Sequence, residues 1–154
     1  MNLKYLFIAL TAFLVAGCES ASRFKEERSA RAAADSFATY YFNWQFQKAA
    51  RFVTDSSQVW LRYAASQVHE ADIKLLRDKE DASVEVEEID VNDAETPSAR
   101  VVVRDFLRMD TIGTEGHLVE KASFRLMLEQ TQPEGGQWKV RMEGLPQSEK
   151  RNRD

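Results

Sequence analysis

Few side chains in this sequence stand where they could do chemistry. Asp105 follows the apolar run Val101-Val102-Val103 and precedes Phe106. On the strand face shared by Val101 and Val103, its carboxylate would point into an apolar pocket. Desolvation there raises a carboxyl pKa and makes a general base, with Tyr40, Tyr41 or Tyr63 placed to donate a hydrogen bond. The other reading makes Asp105 the wet end of its strand, or a partner of Arg104 or Arg125, as charged strand residues generally are. That second reading is preferred, and no catalytic residue is assigned. His69 and His117 are the two histidines, and neither has metal-ligand spacing to another His or to Cys. The run His69-Glu70-Ala71-Asp72 reads as a solvated helix face, because adjacent helical residues point in different directions. No metal or cofactor is therefore expected. Gly113 and Gly116 precede a strand and not a helix, so they do not form a phosphate loop, and no Gly-x-Ser-x-Gly elbow occurs. Cys18 is the sole cysteine, which rules out an intramolecular disulfide and leaves its thiol in need of another use.

A dense aromatic group, Phe37, Tyr40, Tyr41, Phe42, Trp44, Phe46 and Phe52, exceeds what one helix face can hold. Most of it should fill the core, and the surplus should line a pocket or a docking patch. Tyr40, Tyr41, Trp44 and Phe46, with Trp60 and Tyr63 further on, are the candidate ligand- or partner-binding residues.

The elements that must position these groups follow from periodicity. Ala30, Ala33, Ala34, Phe37, Tyr41 and Trp44 recur at helical spacing, and the helix should end near Asn43. A short helical run covers Lys48 to Val53. After Thr54-Asp55-Ser56, which offers N-cap oxygens, Val59, Trp60, Tyr63, Ala64, Gln67 and Val68 predict a third helix. Beyond Asp81 the period changes to alternation. Val84-Glu85-Val86 and Ile89-Asp90-Val91 predict a strand with a bulge at Glu87-Glu88, followed by strands over Ala99 to Met109, Val119 to Thr131, and Trp138 to Met142. Helices first and hairpin-linked strands second predict an α+β domain: three N-terminal helices packed on a curved four-stranded antiparallel sheet.

At the amino end, Lys4 and the apolar run Tyr5 to Ala16 have the layout of an export signal. That run falls short of the roughly 20 apolar residues that span a bilayer. Leu14-Val15-Ala16-Gly17-Cys18 resembles the lipobox of bacterial lipoproteins. The resemblance implies removal of residues 1–17 and acylation of Cys18, palmitate included, which anchors the chain to a membrane. Residues 18–27 become a lipidated tether, 28–145 a single α+β domain, and 146–154 a disordered charged tail. Within that family, Glu19 in place of an Asp after the Cys implies the outer membrane, facing the periplasm, over the inner membrane. Without residues 1–17 the chain keeps 20 basic against 25 acidic groups, a net of −5. Such a balance disfavours nucleic acid as a partner.

The order of one long helix, a short helix, another helix and four strands resembles the nuclear transport factor two-like (ketosteroid-isomerase-like) domain, a cone also described as cystatin-like. Phe37-Ala38-Thr39-Tyr40-Tyr41-Phe42, Lys48-Ala49-Ala50-Arg51-Phe52-Val53 and Gly136-Gln137-Trp138-Lys139-Val140 carry this resemblance, while Asn43-Trp44-Gln45 stands where the family usually has an acidic residue. It implies a non-catalytic envelope lipoprotein that binds a protein, itself included, or a small apolar ligand at the cone mouth or aromatic patch. The alternative it implies is a small-molecule enzyme with an inward Asp105 as general base.

Overall fold

The chain was analysed as a computed structural model that describes residues 3–109, 114–133 and 135–149, with side chains from Glu19 onward. Four α-helices precede four strands: α1 (Leu3–Phe42), α2 (Phe46–Ala49), α3 (Gln58–Ser66), α4 (Glu70–Asp78), β1 (Ser83–Asp90), β2 (Ser98–Arg108), β3 (His117–Gln130) and β4 (Trp138–Arg141). The strands form one antiparallel sheet in the order β1-β2-β3-β4.

The architecture is α+β, as the change of period implies, with one helix more than expected. The third helix ends at Ser66, the backbone turns at Gln67–His69, and a separate helix, α4, follows. The expected stripe on α3 is also out of phase. Leu61 and Ala64 are its buried residues, while Val59 is 50% exposed. Ser57, just before α3, explains that orientation. Its Oγ accepts from the Met142 N–H at 2.8 Å and lies 2.6 Å from Thr54 Oγ1, so the Thr54–Ser56 region fastens α3 to the end of the sheet and does not serve as a side-chain N-cap.

Helix α1 is the spine of the core. Ala30, Ala34, Phe37 and Ala38 have no exposed surface, and Tyr41 and Phe42 are buried beside them. This face is wider than a single i, i+3, i+4 stripe because the sheet meets α1 through β1, β2, β3 and β4. The small alanines let the strands approach the helix closely. Upstream, the expected tether is itself helical, continuous with α1. Glu26 lies on the first turn that touches the sheet, where its Oε2 accepts from Trp138 Nε1 and Gln130 Nε2, both at 2.7 Å. Glu26→Ala is expected to lower stability by about 1.5–3 kcal/mol, since it leaves the buried indole N–H of Trp138 without an acceptor. Urea unfolding checks this, with Glu26→Gln expected to lose less; an unmoved midpoint for the alanine variant would contradict the role.

The end of α1 is set by backbone geometry. Trp44 takes a left-handed conformation, φ 58°, its N–H donates to Tyr41 O at 3.0 Å, and the Gln45 N–H donates to Tyr40 O at 2.8 Å. That is a Schellman cap with tryptophan where glycine is usual. Three bonds hold the bulky residue there: Trp44 Nε1 donates to Leu107 O at 2.9 Å, and the adjacent Asn43 exchanges two with the backbone of Ala82.

The bulge expected in β1 is present as a register shift between Val86 and Glu88, and Arg31 of α1 donates to Val86 O there. The expected disordered tail from 146 is instead placed as far as Glu149. Ser148 bridges Phe124, and the Glu149 N–H donates to Ser123 O at 2.8 Å, beyond the point where β4 ends. Residues 150–154 lie outside the described residues.

Candidate functional site

The six aromatic candidates separate into three places. Tyr41, Trp44 and Phe46 gather with Phe42, Phe106 and Phe124 at one end of the core. Tyr40 stacks on Phe52 at 5.8 Å with Lys48 over its ring, and Trp60 meets Tyr63 edge-on at 6.4 Å on α3. The first group is a filled core. The cavity it encloses measures about 20 Å³, room for one water and no larger ligand. Burial pushes the Tyr41 phenol well above its ordinary range, so it stays neutral at physiological pH. None of the six is among the strongly exposed large hydrophobics, which are Phe24, Val59, Ile73, Leu75 and Leu118.

Asp105 is exposed, with φ 54°. An inward general base is therefore not what this carboxylate forms. Its left-handed backbone lets Phe106 turn into the core, where it meets Phe42 and Phe124. Aspartate tolerates that conformation better than most residues. Asp105→Val is expected to lower stability by about 1–2 kcal/mol, and Asp105→Gly not to lower it. Thermal unfolding decides between them; equal losses in the two variants would show that backbone conformation is not what selects the residue.

Cys18 falls within α1, and its side chain lies outside those described. Among the described residues no group of His, Cys, Asp and Glu is arranged to hold a metal ion, and no helix is long and apolar enough to cross a membrane.

The outer face of the sheet carries an arrangement that sequence reasoning missed. Arg100 of β2 lies directly opposite Arg125 of β3, and Arg104 opposite Lys121. Like charges in opposed positions destabilise a sheet unless counter-charges are supplied. Glu85 and Glu87 of β1 supply two, at 3.2 Å from Arg104 and 3.0 Å from Arg100. The third comes from the C-terminal segment: Glu149 bridges Arg100 Nε at 2.8 Å and Arg125 Nε at 3.1 Å. Around these groups runs a groove of about 820 Å³, lined among others by Val102, Lys121 and Ser123. A signal for this existed in the sequence. Arg100 and Arg104, like Lys121 and Arg125, are four apart, which in a strand means one face.

The hydrogen bond from Arg100 holds the Glu149 carboxyl below the usual glutamate range; burial opposes it, and the charges of Arg125 and Arg100 add to it. A depressed carboxyl contributes attachment above its ordinary range and stops contributing as the pH falls through its folded value. Glu149 is thus expected to stay docked at neutral pH and to release on acidification below the ordinary glutamate range. NMR checks this: the Ser148 and Glu149 amide shifts should move toward random-coil values while Val140 stays put. Shifts that remain constant down to global unfolding would contradict it.

In comparisons with known proteins, no protein family, no curated protein and no solved structure matches the chain.

Proposed function

We propose that the chain is an envelope lipoprotein, cut before Cys18, acylated there, and carrying a non-catalytic domain that docks a protein partner. The single observation that carries this reading is the continuity of α1. One helix runs from the lipobox region into the core, and from Glu19 onward its first fully buried residue is Ala30. At a rise of 1.5 Å per residue, Cys18 and Ala30 are about 18 Å apart along the helix axis. An acyl group on Cys18 would therefore hold the domain close to the membrane on a stiff stalk. Two or more acyl chains anchor stably where one does so marginally.

The finer fold belongs to the same reading. A long helix packed on a four-stranded antiparallel sheet, with short helices between them in the chain, suits the nuclear transport factor two-like cone. The small cavity among Tyr41, Trp44 and Phe46 favours docking on an outer surface over capture of an apolar ligand. The exposed Asp105 removes the support for the enzyme alternative. Glu19 after the Cys favours the outer membrane, facing the periplasm, over the inner membrane.

Intact mass spectrometry of the membrane fraction tests the anchor. The expected product lacks residues 1–17 and carries a diacylglyceryl group and an acyl chain, both abolished by Cys18→Ala. An unlipidated product released from membranes would overturn it.

A further inference from the structure

We propose that the outer face of β2 and β3, together with the edge of β3 from Leu118 to Ala122 with which no described residue pairs, is a docking site for an extended acidic segment of a partner protein, and that Glu149 occupies part of it in cis. This rests on reading the domain as a docking module, and names the surface and the chemistry of its partner.

The edge comes first. Among the described residues β4 pairs with Met127 to Gln130, and the backbone of the C-terminal segment meets that of β3 at Ser123 and Phe124. Among the described residues no strand pairs with β3 on this side from Leu118 to Ala122, and Leu118 is 57% exposed. An open edge presents backbone donors and acceptors to any extended chain that fits alongside, which is how many domains capture peptides.

Charge then selects the occupant. Arg100, Arg104, Lys121 and Arg125 form a basic column beside that edge. Glu149 displays the binding mode, with its backbone bonded to β3 and its carboxylate clamped between two opposed guanidiniums. Carboxylates at alternate positions of an extended segment lie roughly 7 Å apart on one face. A segment with that pattern could replace Glu149 and continue toward Lys121. The residues that follow Glu149 in this chain, Lys150, Arg151 and Arg153, have the wrong sign for it. A second copy paired symmetrically along the same edge would set its own Lys121 and Arg125 on the same sheet face, like beside like.

The test uses the purified full chain in detergent micelles, lipidated or not, so that failure of the anchor reading leaves it interpretable. The probe is a fluorescein-labelled peptide, Thr-Glu-Thr-Glu-Thr-Glu-Thr, with a Lys-for-Glu version as control, read by fluorescence anisotropy. The acidic peptide should bind and the basic one should not, and added salt should weaken binding. Glu149→Ala should tighten binding at least fivefold by freeing the clamp. Arg125→Gln and Arg100→Gln, half-exposed positions whose folding circular dichroism will verify, should each weaken it at least fivefold. Equal binding of both peptides, or no response to Glu149→Ala and Arg125→Gln, overturns the proposal. Dimerisation of the Glu149→Ala chain in sedimentation, without peptide binding, overturns it in favour of a second copy.

Discussion

Phe124→Ala is expected to lower stability by about 3–5 kcal/mol, the range for removing a fully buried phenylalanine from a core that cannot collapse around the gap. Phe124 is 1% exposed and lies between two other rings: its centroid is 4.5 Å from that of Phe42 and 5.7 Å from that of Phe106. Phe42 and Phe106 meet edge-on at 5.3 Å, so the three rings support one another. Domains of this size are stable by about 5–15 kcal/mol, so the loss is a large share of the whole. Phe124→Leu, which keeps most of the volume, should cost about 1.5 kcal/mol or less. Phe24→Ala, at a position 63% exposed, should change stability by about 0.5 kcal/mol at most. Urea denaturation of the three variants gives the ranking, and a Phe124→Ala loss under 1 kcal/mol would mean that this ring triad does not organise the core.

How much of this was legible in sequence differs from residue to residue for physical reasons. Phe124 announces itself, because Ala122, Phe124, Leu126 and Leu128 alternate with polar neighbours, and strand alternation reports burial directly. The parity slip at Glu87-Glu88 likewise shows as a bulge. Phe42 sits off the expected helical stripe, yet it is buried, because Phe106 of β2 and Phe124 of β3 both pack on its ring. The seat of Glu149 is hidden in the sequence for a different reason. Gln147, Ser148 and Glu149 are polar, and composition does not reveal that Glu149 meets two arginines brought side by side by strands more than twenty residues upstream. Trp44 and Asp105 are legible as types but not as conformations, since nothing local requires either to take positive φ. Each does so because a neighbour gains by it: Trp44 reaches Leu107 O, and Phe106 reaches the core.

The second large effect falls on a residue whose surroundings sequence could not show. Asp72, read as part of a solvated helix face, has no exposed surface. Its Oδ1 accepts from the Gly116 N–H at 2.7 Å and its Oδ2 from the His69 N–H at 2.8 Å. These partners are backbone groups, which carry no side-chain signature. α4 is thus fastened to the sheet through its carboxylate, while Ile73 and Leu75 of the same helix face outward, 49% and 38% exposed. Asp72→Ala strips the acceptor from two N–H groups and removes a tie of α4 to the segment before β3, at an expected cost of about 2–6 kcal/mol, taking roughly 1–3 for each unsatisfied donor. Asp72→Asn keeps one acceptor oxygen and should lose about half as much. Gly116 makes the close approach possible: a Cβ there would lie 2.9 Å from Leu107 Cγ, 3.1 Å from Arg108 O and 3.2 Å from Asp72 Oδ1. Gly116→Ala should therefore destabilise as well, by forcing Leu107 or the carboxylate to move. Hydrogen exchange distinguishes this account from simple core loss. In Asp72→Ala the amides of α4 should exchange at rates close to those of an unstructured chain, while those of Val101, Val103 and Leu126 keep most of their protection. If α4 and the sheet lose protection together and equally, Asp72 holds up the whole fold and not one helix; if neither changes, the two hydrogen bonds carry no stabilisation.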